Sequence, residues 1–137
     1  MGLISLQDEQ KVNVPEIDAQ HEALVDLINQ LHQAMLDGRG REVLGRLMSA
    51  LVNHTRSHFA YEEELMTEHA FPGFGKHREE HDRLLQHIDE LARRFDEGDL
   101  LLSFAVIVDL RAWALVHIEK FDLALGAFLN RRTDAGR

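Results

Sequence analysis

Apolar residues recur every three to four positions in four stretches of the chain, which is the spacing of one buried helix face. The first stripe reads His21, Leu24, Val25, Ile28, Leu31 and Met35, and predicts a helix over about 19–37 with Asp18 placed as its cap. Asp37-Gly38-Arg39-Gly40 is a stop and turn. The second stripe, over about 41–69, carries Leu44, Leu47, Met48, Leu51, Thr55, His58, Glu62 and Leu65, and Phe71-Pro72-Gly73 breaks it. The third, over about 74–96, has the clearest seam: His77, His81, Leu84, Ile88, Leu91 and Phe95. After a turn at Glu97-Gly98-Asp99, a fourth helix over about 100–130 presents Val106, Leu110, Trp113, His117 and Phe128. Residues 1–17 are mixed and contain Val14-Pro15, which predicts an extended arm; the polar Arg131–Arg137 predicts a frayed end. Each stripe must be covered, and short connections make sequence neighbours spatial neighbours. The expected fold is therefore all-α, an up-down-up-down four-helix bundle occupying 1–137 as one domain.

Composition agrees with that fold and narrows the function. A chain of 137 residues with 45% hydrophobic and 28% charged residues suits one core and a well-solvated exterior. The formal net charge of −9, from 15 basic and 24 acidic residues, argues against nucleic acid or an anionic membrane as partner. The absence of cysteine excludes disulfides, thiolate metal sites and iron–sulfur clusters. No run approaches the length of a membrane span, and the opening MGLISLQDEQ lacks a basic region followed by an apolar core. Leu6 stands where a myristoylation signal needs Ser or Thr, so the expected location is cytoplasmic. The number that departs from the ordinary is nine histidines.

Five of them, His21, His58, His77, His81 and His117, fall on the apolar stripes, at least one per helix. Burying an unpartnered polar group costs roughly 2–7 kcal/mol, against a net domain stability of about 5–15 kcal/mol. One stripe histidine is ordinarily a satisfied core residue; five require a common partner, and neutral imidazole is a metal ligand. His77 and His81 are an i,i+4 pair on one helix face, and His58 and Glu62 form a second such pair. His117 and Asp122 are i,i+5, about 140° apart on an ideal helix, and converge only if Asp122 reaches sideways or the helix loosens locally. Five imidazoles and two carboxylates exceed the needs of one ion. Two ions sharing both carboxylates use all seven; with an oxygen atom as third bridge, one ion is six-coordinate and the other five-coordinate, which keeps one position open. Nitrogen and oxygen donors suit iron, manganese or zinc. His32, His69 and His87 read as surface or helix-end residues; His54, one turn before His58, reads as support around the site rather than a ligand. Glu63 and Glu64 read as surface charge or outer support, and Arg93-Arg94 and Arg131-Arg132 as solvated pairs.

Four segments carrying these residues, IDAQHEALVDLIN (17–29), HFAYEEELM (58–66), HREEH (77–81) and WALVHIEKFD (113–122), resemble the hemerythrin family in its single-domain bacterial form, in the family's order and over about Ile17–Leu129. The resemblance implies a non-haem diiron centre. It places His77, His81 and His117 on one iron and His21 and His58 on the iron with the open position, with Glu62, Asp122 and an oxo or hydroxo group bridging. It also implies dioxygen as the partner, bound reversibly for storage, delivery or sensing, in a pocket lined by Trp113, Ala114 and Ile118. Three departures stand out: Ala114 where the family usually has Leu, His54 where Tyr is common, and no Trp in the arm, where Leu6 lies near that position. A smaller residue at Ala114 predicts a wider or wetter pocket. The alternative is a diiron enzyme acting on peroxide or nitric oxide. A ferritin-like oxidase or iron store would use Glu-x-x-His pairs, and no Glu stands three residues before any His here, although Asp18 so precedes His21. A metal-free structural bundle leaves the stripe histidines without a partner. A sensor role would need a separate signalling partner.

Overall fold

A computed structural model describes residues 11–97 and 104–135, without the side chains at 104–108, 111, 119 and 132–135. Helix α1 spans Pro15–Leu36, α2 Arg41–Glu68, α3 Phe74–Asp96 and α4 Phe104–His117. A π-helical turn, Ile118–Asp122, then joins α4 to α5, Leu123–Ala135, in one fourth rod. No strand occurs among the described residues, and no helix there is long and apolar enough to cross a membrane.

Cross-helix pairs show the directions. Glu63 meets His81, Arg56 meets Asp89 and Arg41 meets the end of α3 at Phe95 and Asp96, so α2 and α3 run antiparallel. Gln20 of α1 meets His54 and His58 of α2, and His21 meets Asp122 of the fourth rod. The turn after α1 follows from Gly38, whose φ of 68° lies in the left-handed region that glycine enters without steric cost. The amides of Gly38 and Arg39 return to the carbonyls of Met35 and Ala34, closing a Schellman motif.

The first helix begins at Pro15, four residues before the expected start, and Asp18 is not its cap. Pro15 fits the first helical position because it has no N–H to orphan and its φ is already helical. Asp18 instead lies within the first turn of α1, and its carboxylate accepts the backbone N–H groups of Val12 (2.8 Å) and Asn13 (3.1 Å). It thereby ties the incoming arm to the helix. At the other end α5 continues through Ala135 rather than fraying after 130. Leu6, the Gly98–Asp99 part of the expected turn, and the Val106 side chain lie outside the described residues.

Two apolar clusters fill the interior. The larger holds Leu24, Val25, Ile28, Leu31, Met48, Leu51, Ile88, Leu110 and Ala114; the smaller holds Val12, Ile17, Met66, Leu125 and Leu129. On α1, α2 and the fourth rod the polar stripe residues stand between members of the two clusters. His21 follows Ile17 and precedes Leu24; His58 and Glu62 lie between Leu51 and Met66; His117 and Asp122 lie between Ala114 and Leu125. The candidate site is thus a buried polar layer with hydrocarbon on both sides.

Candidate metal centre

All seven sequence-predicted residues, His21, His58, Glu62, His77, His81, His117 and Asp122, are at most 5% exposed and meet in that layer. The His77/His81 and His58/Glu62 pairs share a face by ordinary helical spacing. The His117/Asp122 pair converges by a different device. Over Ile118–Asp122 the backbone widens into a π turn, and the Leu123 amide returns to the Ile118 carbonyl, five residues back. A turn of this width brings residues five apart onto one face. Of the two routes open to Asp122, local loosening of the helix is the one observed.

Every one of the five rings points Nε2 inward at a carboxylate. His21 Nε2 lies 2.8 Å from Asp122 Oδ2, His77 Nε2 3.0 Å and His117 Nε2 3.2 Å from Asp122 Oδ1. His81 Nε2 is 3.0 Å and His58 Nε2 3.6 Å from the oxygens of Glu62. The donor atoms form two groups, each with all atoms within 4.8 Å of one another. One is Glu62, His77, His81, His117 and Asp122; the other is His21, His58, Glu62 and Asp122. Both carboxylates belong to both groups.

The chemistry of this donor set fits metal cations. The Nε2 atoms of His58, His77 and His117, with Glu62 Oε2 and Asp122 Oδ1, are buried and lack a hydrogen-bond partner. Such atoms are costly unless something else satisfies them. The ion-pair contacts of Glu62 and Asp122 among the described residues are to histidines, with no arginine or lysine. Burial pushes the His58 ring down to about 4, against the pull of Asp122. Burial, reinforced by His77 and His117, pushes His81 down to about 2. Both rings are therefore neutral at physiological pH, as a ligand must be. Burial and the nearby Asp122 carboxylate raise Glu62 well above the usual range. Burial also acts to raise Asp122, but His117 and hydrogen bonds from the surrounding rings outweigh it and hold the group well below the ordinary value. Two close carboxylates with no arginine or lysine beside them among the described residues are neutralised by a shared proton or by metal cations.

These depressed histidines set a pH dependence for the metal-free chain. Unfolding restores rings that protonate near pH 6.5, so between that pH and about 4 for His58, and about 2 for His81, the unfolded state binds more protons. This contribution to stability is complete above pH 6.5 and is lost as pH falls through that window. Glu62, held well above its ordinary value, contributes with the opposite sign, so the profile is read in the Glu62→Gln variant: its metal-free denaturant midpoints should fall between pH 7 and 4, and a flat profile there would contradict the burial assigned to these rings.

Around this layer the structure adds partners. His58 Nδ1 donates to the Gln20 side-chain oxygen at 2.5 Å, and His81 Nδ1 to Glu63 Oε2 at 3.0 Å. His54 Nε2 donates to the Gln20 carbonyl at 2.8 Å and its ring lies parallel to His58 at 6.3 Å, so it supports the site through Gln20 and contributes no inward donor. Phe59 stacks on His81 with ring centroids 3.9 Å apart. Sequence reasoning missed Gln20 and Phe59. Gln20 is a polar residue beside a stripe histidine, whereas Phe59, four residues after Thr55 and three before Glu62, has the spacing of the stripe and could have been found from it. Ala114 and Ile118 are buried one turn before and immediately after His117, and Trp113 is half-buried. His87 is exposed, while His32 and His69 are half-buried, the latter at the end of α2.

Comparison with known proteins bears on the family and the fold. The model of the hemerythrin HHE cation-binding domain matches residues 12–129. A bacteriohemerythrin of Stenotrophomonas maltophilia is 32% identical over 124 residues, covering 90% of this chain and 80% of that protein. One from Methylococcus capsulatus is 30% identical over 118 residues, covering 86% and 89%. A crystal structure of a hemerythrin variant with one leucine replaced by alanine has a TM-score of 0.87 at 30% identity, over 93% of this chain and 97% of that one. Wild-type hemerythrin has a TM-score of 0.86 at 28% identity, over 91% and 96%. With a family model spanning most of its length and a buried cluster suited to metal binding, this chain belongs to the hemerythrin family.

Proposed function

We propose that the chain holds two iron ions and binds dioxygen reversibly between them and the helices, as an oxygen-storage, delivery or sensing protein. The observation that carries this reading is the pair of overlapping donor groups sharing Glu62 and Asp122. His77, His81 and His117 hold one ion, His21 and His58 the other, and the two carboxylates bridge. The second ion has one protein ligand fewer, which leaves room for a small molecule. When bound, the iron pair supplies electrons to dioxygen and takes them back on release. The chain's task is to hold neutral rings in place and to keep water away, and the apolar clusters above and below do this.

Trp113, Ala114 and Ile118 line the oxygen pocket in this reading. Ala114 contributes only a methyl group one turn before His117, so Ala114→Leu should slow oxidation of the iron-loaded protein in air. Ala114 is already packed among Leu24, Val25, Ile28 and their neighbours, so the larger side chain should cost about 1–3 kcal/mol of stability. Equal oxidation rates in the two proteins would remove Ala114 from the pocket. Reversibility is tested by admitting air to the anaerobically reduced, iron-loaded protein. A visible band that appears with oxygen and disappears under vacuum supports oxygen carriage. Oxidation without a reversible band contradicts it, and turnover with peroxide or nitric oxide would then identify the enzyme alternative.

A further inference from the structure

The five inward rings are not supported alike. The Nδ1 atoms of His21, His77 and His117 are buried without a hydrogen-bond partner, whereas those of His58 and His81 each have one. His81 belongs to the three-histidine group and His58 to the two-histidine group, so each group has one externally anchored ring. The two acceptors differ in charge: a carboxylate for His81, an amide for His58.

We infer that Glu63 and Gln20 are positioning residues that make the two metal positions electronically unequal, the ion held by His81 being oxidised more readily than the ion held by His58. The inference rests on the diiron reading. A carboxylate drawing on Nδ1–H places more electron density on Nε2, and so favours the higher charge on the ion that Nε2 holds. A hydrogen bond to a charged acceptor is about twice as strong as one between neutral groups. The geometry keeps the two effects apart. Phe59 stacks on His81 and holds its edge towards Glu63, which is only 27% exposed. On the other side, His54 binds the Gln20 carbonyl and fixes the residue whose side-chain oxygen receives His58. Arg78 Nε, 3.8 Å from the remaining Glu63 oxygen, is largely exposed and leaves most of that charge uncancelled.

Redox titration of the iron-loaded protein tests this with Glu63→Gln, Gln20→Glu and Glu64→Gln. Glu63→Gln keeps a hydrogen-bond acceptor but loses the charge. It should raise the midpoint of the first oxidation by about tenfold in the oxidised-to-reduced ratio, or ~59 mV for one electron. Gln20→Glu should lower a midpoint by a similar factor. Glu64 is exposed, and removing its charge should change the ratio less than about twofold. Opposite signs for the first two variants, at an unchanged iron count, support the inference, because a packing role would move both in one direction. Shifts of the same sign, or shifts no larger than that of Glu64→Gln, overturn it and leave the diiron reading intact. A parent protein that binds no iron overturns both.

Discussion

On the diiron reading proposed above, Asp122→Asn should reduce the bound iron from two per chain to one or none. The carboxylate meets His21, His77 and His117 directly and belongs to both donor groups. The amide keeps its shape but removes the negative charge between two cations and halves the oxygen donors. Losing an outer partner of a ligand already costs about 10–100-fold in metal affinity, so loss of a bridge should cost at least ~100-fold. Binding linkage makes that at least ~2.7 kcal/mol of lost stabilisation in the iron-loaded protein. Iron per chain and the melting temperature with and without iron read both effects. A variant that retains two irons and the parent's melting temperature would take Asp122 out of the bridge.

Gly126→Ala should destabilise the fold, although alanine is the better helix former. The gain from propensity is about 0.8–1.0 kcal/mol. Against it, an added Cβ would come within 2.7 Å of Val12 Cβ and closer still to the Val12 carbonyl oxygen. Backbone cannot swing away as a side chain end can, so the arm must lift. Val12 is buried in the smaller cluster, and exposing such a side chain costs about 1.5–3 kcal/mol. A net loss of roughly 1–2 kcal/mol should appear as a melting temperature several degrees lower. A more stable variant would show that the arm does not seat against α5 at this glycine.

How far the sequence could be read depended on whether the helix stayed regular. The His77/His81 seam continues to Leu84, Ile88 and Phe95 at constant spacing, and those residues are buried. On the fourth rod the π turn adds one residue to a turn, which rotates everything after it by about 100° relative to an unbroken α-helix. Phe128, placed on the stripe by regular spacing, is only half-buried, while Leu125 and Leu129 form the smaller cluster. The i,i+5 spacing of His117 and Asp122 was the visible sign of that break. Asp18 departs from its expected role for another reason: a carboxylate near a helix start can cap it or tie down the arm before it, and Pro15 decides between them. Outer partners are legible where charge or helical spacing marks them, as with His54 one turn before His58. Glu63 could be considered from the acidic run, whereas Gln20 has neither charge nor periodicity to mark it.

Whether these seven side chains hold two irons is read by anomalous X-ray diffraction at the iron edge from crystals of the iron-loaded protein. Two iron peaks are expected in the buried polar layer. His77, His81 and His117 should contact one, His21 and His58 the other, and Glu62 and Asp122 both. A single peak, or iron held elsewhere with these seven side chains unligated, would contradict the diiron reading.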